Sequence, residues 1–169
     1  VDMWRDHASS NPTTYGGPWG MDADFRLQQV IASWDLVEES PVFSDDERLR
    51  IAKTLFEFAQ YCAPKAKSVV GSTRVRHNHQ TFPGLGALYA GLYFSQHYDV
   101  AEGRIWLDLA DAMFRRQSGY FKPYEDCNGY QWLTNGHLMR YCLARPDLTL
   151  FENGNGQRII DYLVGTMDN

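Results

Sequence analysis

The sequence predicts an all-α protein built from antiparallel helical hairpins. Two observations carry that expectation. Apolar residues recur at three- and four-residue spacing in about six segments between residues 22 and 166, and no stretch alternates apolar and polar with the period of two that a half-buried strand requires. The segments are also similar in length and joined end to end, which favours an α/α repeat even though no clean sequence period recurs. A chain of 169 residues fits one domain with a sizeable core, and 44% hydrophobic with 22% charged residues is a globular composition.

Residues 1–21 read as an N-terminal arm rich in Pro, Gly, Thr and Tyr. It is expected to be ordered, because Trp4, Tyr15 and Trp19 would be wasted in a disordered tail. From Asp22 a helical stripe of Leu27, Val30, Ile31, Trp34 and Val37 sets in, and Ser40 with Pro41 ends it. Ser44 followed by Glu47 is a capping box that starts the second helix. Leu49, Ala52, Leu55, Phe56, Ala59 and Cys62 continue it until Pro64, where it is expected to stop. Lys65 to Gln80 reads as a polar loop.

The third helix is placed at about Phe82 to His97, with Thr81 as N-cap, Pro83 in the first turn and Leu85, Leu88, Tyr89 and Leu92 on its stripe. The fourth runs from about Ala101 to Arg116 through Trp106, Leu109, Ala110, Met113 and Phe114. The fifth holds Leu133, His137, Leu138, Tyr141 and Cys142 and ends before Pro146. After the turn-forming NGNG, a short sixth holds Ile159, Ile160, Leu163 and Val164. The chemically rich loops precede the first, third and fifth helices, so one end of the array would collect them.

Several functions are disfavoured at once. A net charge of −5 argues against broad nucleic-acid binding, which needs clustered Lys and Arg. No run of about 18 apolar residues exists, so no membrane partner is expected. Cys62, Cys127 and Cys142 are odd in number and lack CxxC spacing; buried thiols are the default, with room for one bridge. The first residue, Val1, suggests a processed or trimmed chain, and no signal peptide is visible.

Three motif matches meet in RVRHNHQTFPGLGALYAGLYF, residues 74–94. An HNH nuclease needs a ββα-metal fold, and no strands are expected. A metal site on His77, His79 and His97 lacks recognisable ligand spacing, so neither a metal nor a cofactor is expected. GLGALYAG is not GxGxxG, because Tyr89 fills the last glycine position; Gly84, Gly86 and Gly91 instead suit close helix packing. The polar residues before the helix sit at its positive end, which attracts anions. Arg74 and Arg76 suit recognition of a carboxylate. A second cluster, YFKPYEDCNGYQW, combines aromatics that stack on sugar rings with amides and carboxylates that bond hydroxyls. Each cluster also has a plain structural use, as helix caps and loop ties.

Two stretches together resemble a known family. RHNHQTFPGLGALYAGLYF resembles the Asn/His-bearing helix of α/α-toroid polysaccharide lyases. GYFKPYEDCNGYQWLTNGHLMRY resembles the Glu-Asp…Gly-Tyr segment of heparinase II/III-like and alginate-lyase-like members, matching at Glu125, Asp126, Asn128, Gly129 and Tyr130, with Gln131 where histidine is commoner. The resemblance implies part of an (α/α) toroid and β-elimination on a uronic-acid polysaccharide. It implies Asn78 as the carboxylate neutraliser, His79 as base or second neutraliser, and Tyr130 as acid/base. Substrate contacts are then expected from Arg74, Arg76, His77, Trp19, Tyr124, Glu125, Asn128 and Trp132, in a secreted or periplasmic setting. A β-sandwich domain or a second copy of the chain is the expected partner that completes the cleft. Two other functions stand beside this one. The first is an α/α-barrel glycoside hydrolase using Asp22 or Asp24 with Glu125 or Asp126. The second is a non-catalytic helical sugar-binding or scaffold fragment.

Overall fold

The structure, a computed structural model, describes residues 23–71, 75, 77–121 and 127–167, and among them the fold is all-helical. Seven helices follow in order: α1 Ala23–Asp35, α2 Asp45–Val70, α3 Asn78–His97, α4 Ala101–Gln117, α5 Asn128–Ala144, α6 Thr149–Glu152 and α7 Asn155–Gly165. The single-turn α6 is the one the apolar spacing did not foretell. The chain divides into two compact units. One comprises residues up to Pro64 with Gly86–Leu107, and the other Lys65–Leu85 with Asp108–Asn169.

The first unit has an apolar and aromatic interior. Leu27, Ile31 and Trp34 of α1 are buried as their spacing requires, whereas Val37 lies past the helix end and is exposed. The expected capping box opens α2: the Ser44 N–H donates to Glu47 Oε2 at 2.9 Å, and the Glu47 N–H lies 3.4 Å from Ser44 Oγ. Phe56, Phe94 and Trp106 pack as a ring cluster with centroids 5.2–5.8 Å apart. Trp34 Nε1 donates to Tyr93 Oη at 2.9 Å, and the Tyr93 hydroxyl in turn donates to Glu38 Oε2 at 2.7 Å. Burial first, and that carboxylate second, raise the Tyr93 phenol well above its ordinary value. Glycine closes the α3–α4 hairpin: a Cβ at Gly91 would lie 2.8 Å from the Leu107 backbone nitrogen and 2.9 Å from the Gly103 oxygen. The close packing expected of this glycine is thus backbone against backbone.

The second unit is organised differently. Phe114 of α4 stacks on Tyr141 of α5 at 4.9 Å, and Tyr141 donates to Asp111 at 3.0 Å. Arg145 grips both oxygens of the same carboxylate at 3.2 and 3.0 Å. At the other end of the pair, Gln117 Nε2 donates to the Thr134 carbonyl at 3.1 Å. Residue numbers rise on α4 as they fall on α5, so these two helices run antiparallel. The Ser118 carbonyl accepts the side-chain amides of Asn153 and Asn155, which anchors the turn between α6 and α7.

Two expectations about boundaries fail here, and several about burial. Pro64 does not end α2, which continues to Val70. Proline removes one backbone bond, but beyond it Ala66 and Val69 are buried and Arg116 caps the Val70 carbonyl at 2.7 Å. The third helix begins at Asn78, not Phe82, so Thr81 is inside the helix and not its cap. Leu49, Leu133, Ile160 and Val164, expected on buried stripes, are exposed. Cys62, Cys127 and Cys142 are free thiols, and Cys127 is exposed contrary to the default. No helix among the described residues is long and apolar enough to cross a membrane.

Candidate functional site

The residues expected at the site that fall among the described ones all belong to the second unit: His77, Asn78, His79, Asn128, Tyr130 and Trp132. Trp19, Arg74, Arg76, Tyr124 and Glu125 lie outside the described residues, as do Asp22 and Asp126.

Asn78 and His79 are the first two residues of α3, not residues ahead of it. Asn78 is 4% exposed and accepts the His79 backbone N–H on Oδ1 at 2.9 Å. The Gln80 N–H is answered by the His77 carbonyl at 3.0 Å. The rings of His77 and His79 pair edge to face at 5.8 Å, and both residues are exposed. An amide, two imidazoles and the positive end of a 20-residue helix therefore meet at one turn.

Thr81, one turn further on, is fully buried and joins that turn to α5. Its hydroxyl donates to the Asn78 carbonyl at 3.1 Å and lies 2.8 Å from His137 Nδ1. The hydroxyl has one proton. When that proton is on the Asn78 carbonyl, Nδ1 of the imidazole carries the hydrogen and donates to Thr81; in the other tautomer the hydroxyl turns to Nδ1. Phe82 packs edge-on against the same imidazole at 4.4 Å. Burial, and less strongly the Arg140 charge, depress the His137 pKa to about 4, so the ring is neutral at ordinary pH.

Tyr130 lies in the first turn of α5 and is 50% exposed. It shares a stripe with Thr134, His137 and Tyr141, at helical offsets of four, seven and eleven. The Thr134 hydroxyl donates to the Tyr130 carbonyl at 3.0 Å, a bond within α5 itself. Neighbouring positions have other duties. Gln131 is completely buried and donates to Tyr162 at 3.2 Å. Asn128 donates to the Thr166 carbonyl at 3.1 Å, tying the start of α5 to the end of α7. Trp132, though exposed, is two residues from Tyr130 and hence about 200° round the helix. Its place in a shared cleft with Tyr130 does not follow from the geometry.

Spacing alone missed Thr81 and His137. Their signal was a run of polar residues on a face expected to be apolar: Gln131, Thr134, Asn135 and His137 are all buried on α5. Among the described residues, no group of three or more His, Cys, Asp or Glu side chains is arranged to hold a metal ion. His97 belongs to the other unit and pairs with Asp35 at 3.0 Å. No family model, curated protein or solved structure matches the chain.

Proposed function

We propose that this chain supplies the Asn/His turn and the tyrosine of a polysaccharide lyase, within part of an (α/α) toroid, acting by β-elimination on an acidic polysaccharide that contains uronic acid. The supporting observation is the junction of α3 and α5. The turn bearing Asn78 and His79 is bonded through Thr81 to His137, on the stripe that carries Tyr130.

The chemistry suits these groups. The hydrogen on C5 of a uronate is acidic only if charge building on the adjacent carboxylate is stabilised by donors already in place. Asn78 Nδ2 and the positive end of α3 are such donors. His79 serves as the base or as a second donor. The C5 proton goes to His79, or to a deprotonated Tyr130 where His79 is the second donor; the C5–H electron pair becomes the C4–C5 double bond as the C4–O bond breaks, and the Tyr130 hydroxyl gives its proton to the departing oxygen. Arg74 and Arg76 are assigned to the substrate carboxylates. A polymer of this kind lies outside cells, which favours a secreted or periplasmic enzyme.

The hydrolase alternative would draw on Asp24, which lies in the first turn of α1 and is as buried as Asn78. The test is incubation with a panel of uronate polymers, reading the ultraviolet absorbance of the unsaturated product together with new reducing ends. Lyase action gives both. Reducing ends without absorbance would indicate hydrolysis, and undiminished lyase activity in Asn78→Ala with Tyr130→Phe would overturn the residue roles.

A further inference from the structure

The second unit buries a histidine that the proposed reaction does not use. His137 is 4% exposed, and its Nδ1 lies 2.8 Å from the hydroxyl of Thr81, itself completely buried. That hydroxyl also holds the Asn78 carbonyl, so the bonded chain runs from α5 to the backbone of the residue assigned to carboxylate recognition. Phe82 closes on the imidazole edge from the same helix.

We propose that His137 is a positioning residue: as a neutral Nδ1–H donor to Thr81 it sets the register between the first turn of α3 and α5, and so places Asn78 and His79 with respect to Tyr130. This rests on the lyase reading of those three residues. Physical chemistry favours an imidazole for this work. It is a rigid, planar donor whose remaining ring edge packs against an aromatic, and burial keeps it neutral, so the contact adds no buried charge. A leucine would fill the space and lose the bond. An asparagine would lose part of the packing and keep a neutral N–H at nearly the same place.

The experiment compares the full chain with His137→Leu, His137→Asn and Thr81→Val. Substrate-free nitrogen-detected NMR comes first. The expected result is a protonated Nδ1 on His137, with the Asn78 side-chain amide and His79 ring resonances displaced in His137→Leu and Thr81→Val and near their original positions in His137→Asn. A bare Nδ1, or undisplaced Asn78 and His79 signals in both donor-removing variants, overturns the proposal. On a uronate polymer, His137→Leu and Thr81→Val should lower kcat on the order of 10- to 100-fold with KM little changed, because misplacement of reacting groups is felt in the transition state. His137→Asn should recover most of that loss; equal losses in Asn and Leu variants would reduce His137 to packing and overturn the proposal. If the NMR result holds and no polymer is cleaved, the lyase reading fails and the positioning contact stands. If a variant does not fold, the contact is judged from its other side by the remaining Thr81 or His137 variant.

Discussion

In the first unit the interior is mostly apolar and carries a ring cluster, Phe56, Phe94 and Trp106 against one another and Trp34 against Tyr93; in the second an apolar core is interleaved with buried hydroxyls, amides and a histidine. Of thirteen buried polar or charged residues described, ten belong to the second unit. Ring packing is tolerant of small shifts, since dispersion and area burial have no strong directionality. A hydrogen-bonded interior is not, because each donor demands an acceptor at a set distance and angle. The proposed site draws on the second, more directional kind of interior. A site needs side chains held in one arrangement, and directional bonds do that better than rings.

The largest expected effect breaks the first interior. Phe94 is buried and meets Phe56, Trp106 and Tyr93 at 5.2, 5.8 and 4.9 Å. Phe94→Ala removes a ring that nothing nearby can replace and should cost about 3–5 kcal/mol. Urea unfolding followed by the fluorescence of Trp34 and Trp106 measures it; a loss under about 1 kcal/mol would mean the ring cluster is loosely packed.

The second interior should instead be sensitive to acid. His137 is neutral in the folded protein down to about pH 4, whereas in the unfolded chain it protonates near its ordinary value of 6.5. Between those pH values the unfolded state holds the extra proton, so stability falls as pH falls, and it levels off once the folded ring also protonates. Over the full interval the loss attributable to His137 is up to roughly 3 kcal/mol. His137→Asn, which cannot protonate, should show a shallower decline than the wild type across this window. Parallel pH profiles would show that the imidazole is not held neutral.

Much of the first unit was legible in the sequence, and much of the second was not. The capping box at Ser44 and Glu47 is local, made from residues three apart, and it stands as written in the letters. Leu27, Ile31 and Trp34 obey a period that any amphipathic helix obeys. Pro64 misled because a missing backbone bond is a local fact, while the burial of Ala66 and Val69 is not. Thr81 misled for a related reason. A threonine ahead of an apolar run reads as an N-cap, yet its hydroxyl finds the Asn78 carbonyl inside the helix and a histidine 56 residues away. Type and resemblance single out Asn78 and His79 as candidates, but the contact from their turn to α5 is long-range. Directional polar packing is specified by pairs of distant residues, so it leaves little trace in spacing.

The smallest effect probes how complete the second interior is. Gln131 has no exposed surface, and its Nε2 donates to Tyr162, but its Oε1 has no hydrogen-bond partner among the described residues. Gln131→Met keeps an unbranched side chain of similar volume. It gives up one neutral hydrogen bond, worth about 1 kcal/mol, and removes a buried acceptor whose desolvation costs about 1–3 kcal/mol. Tyr162 is only partly buried and can turn its hydroxyl to water. The two terms oppose each other, so the net change should stay within about 1 kcal/mol and lean toward stabilisation. Thermal and urea unfolding of the variant decide the sign. A loss above about 2 kcal/mol would mean that Oε1 is satisfied after all, for instance by an ordered water. The polar interior would then be fully bonded, and its contrast with the ring-closed unit would be sharper still.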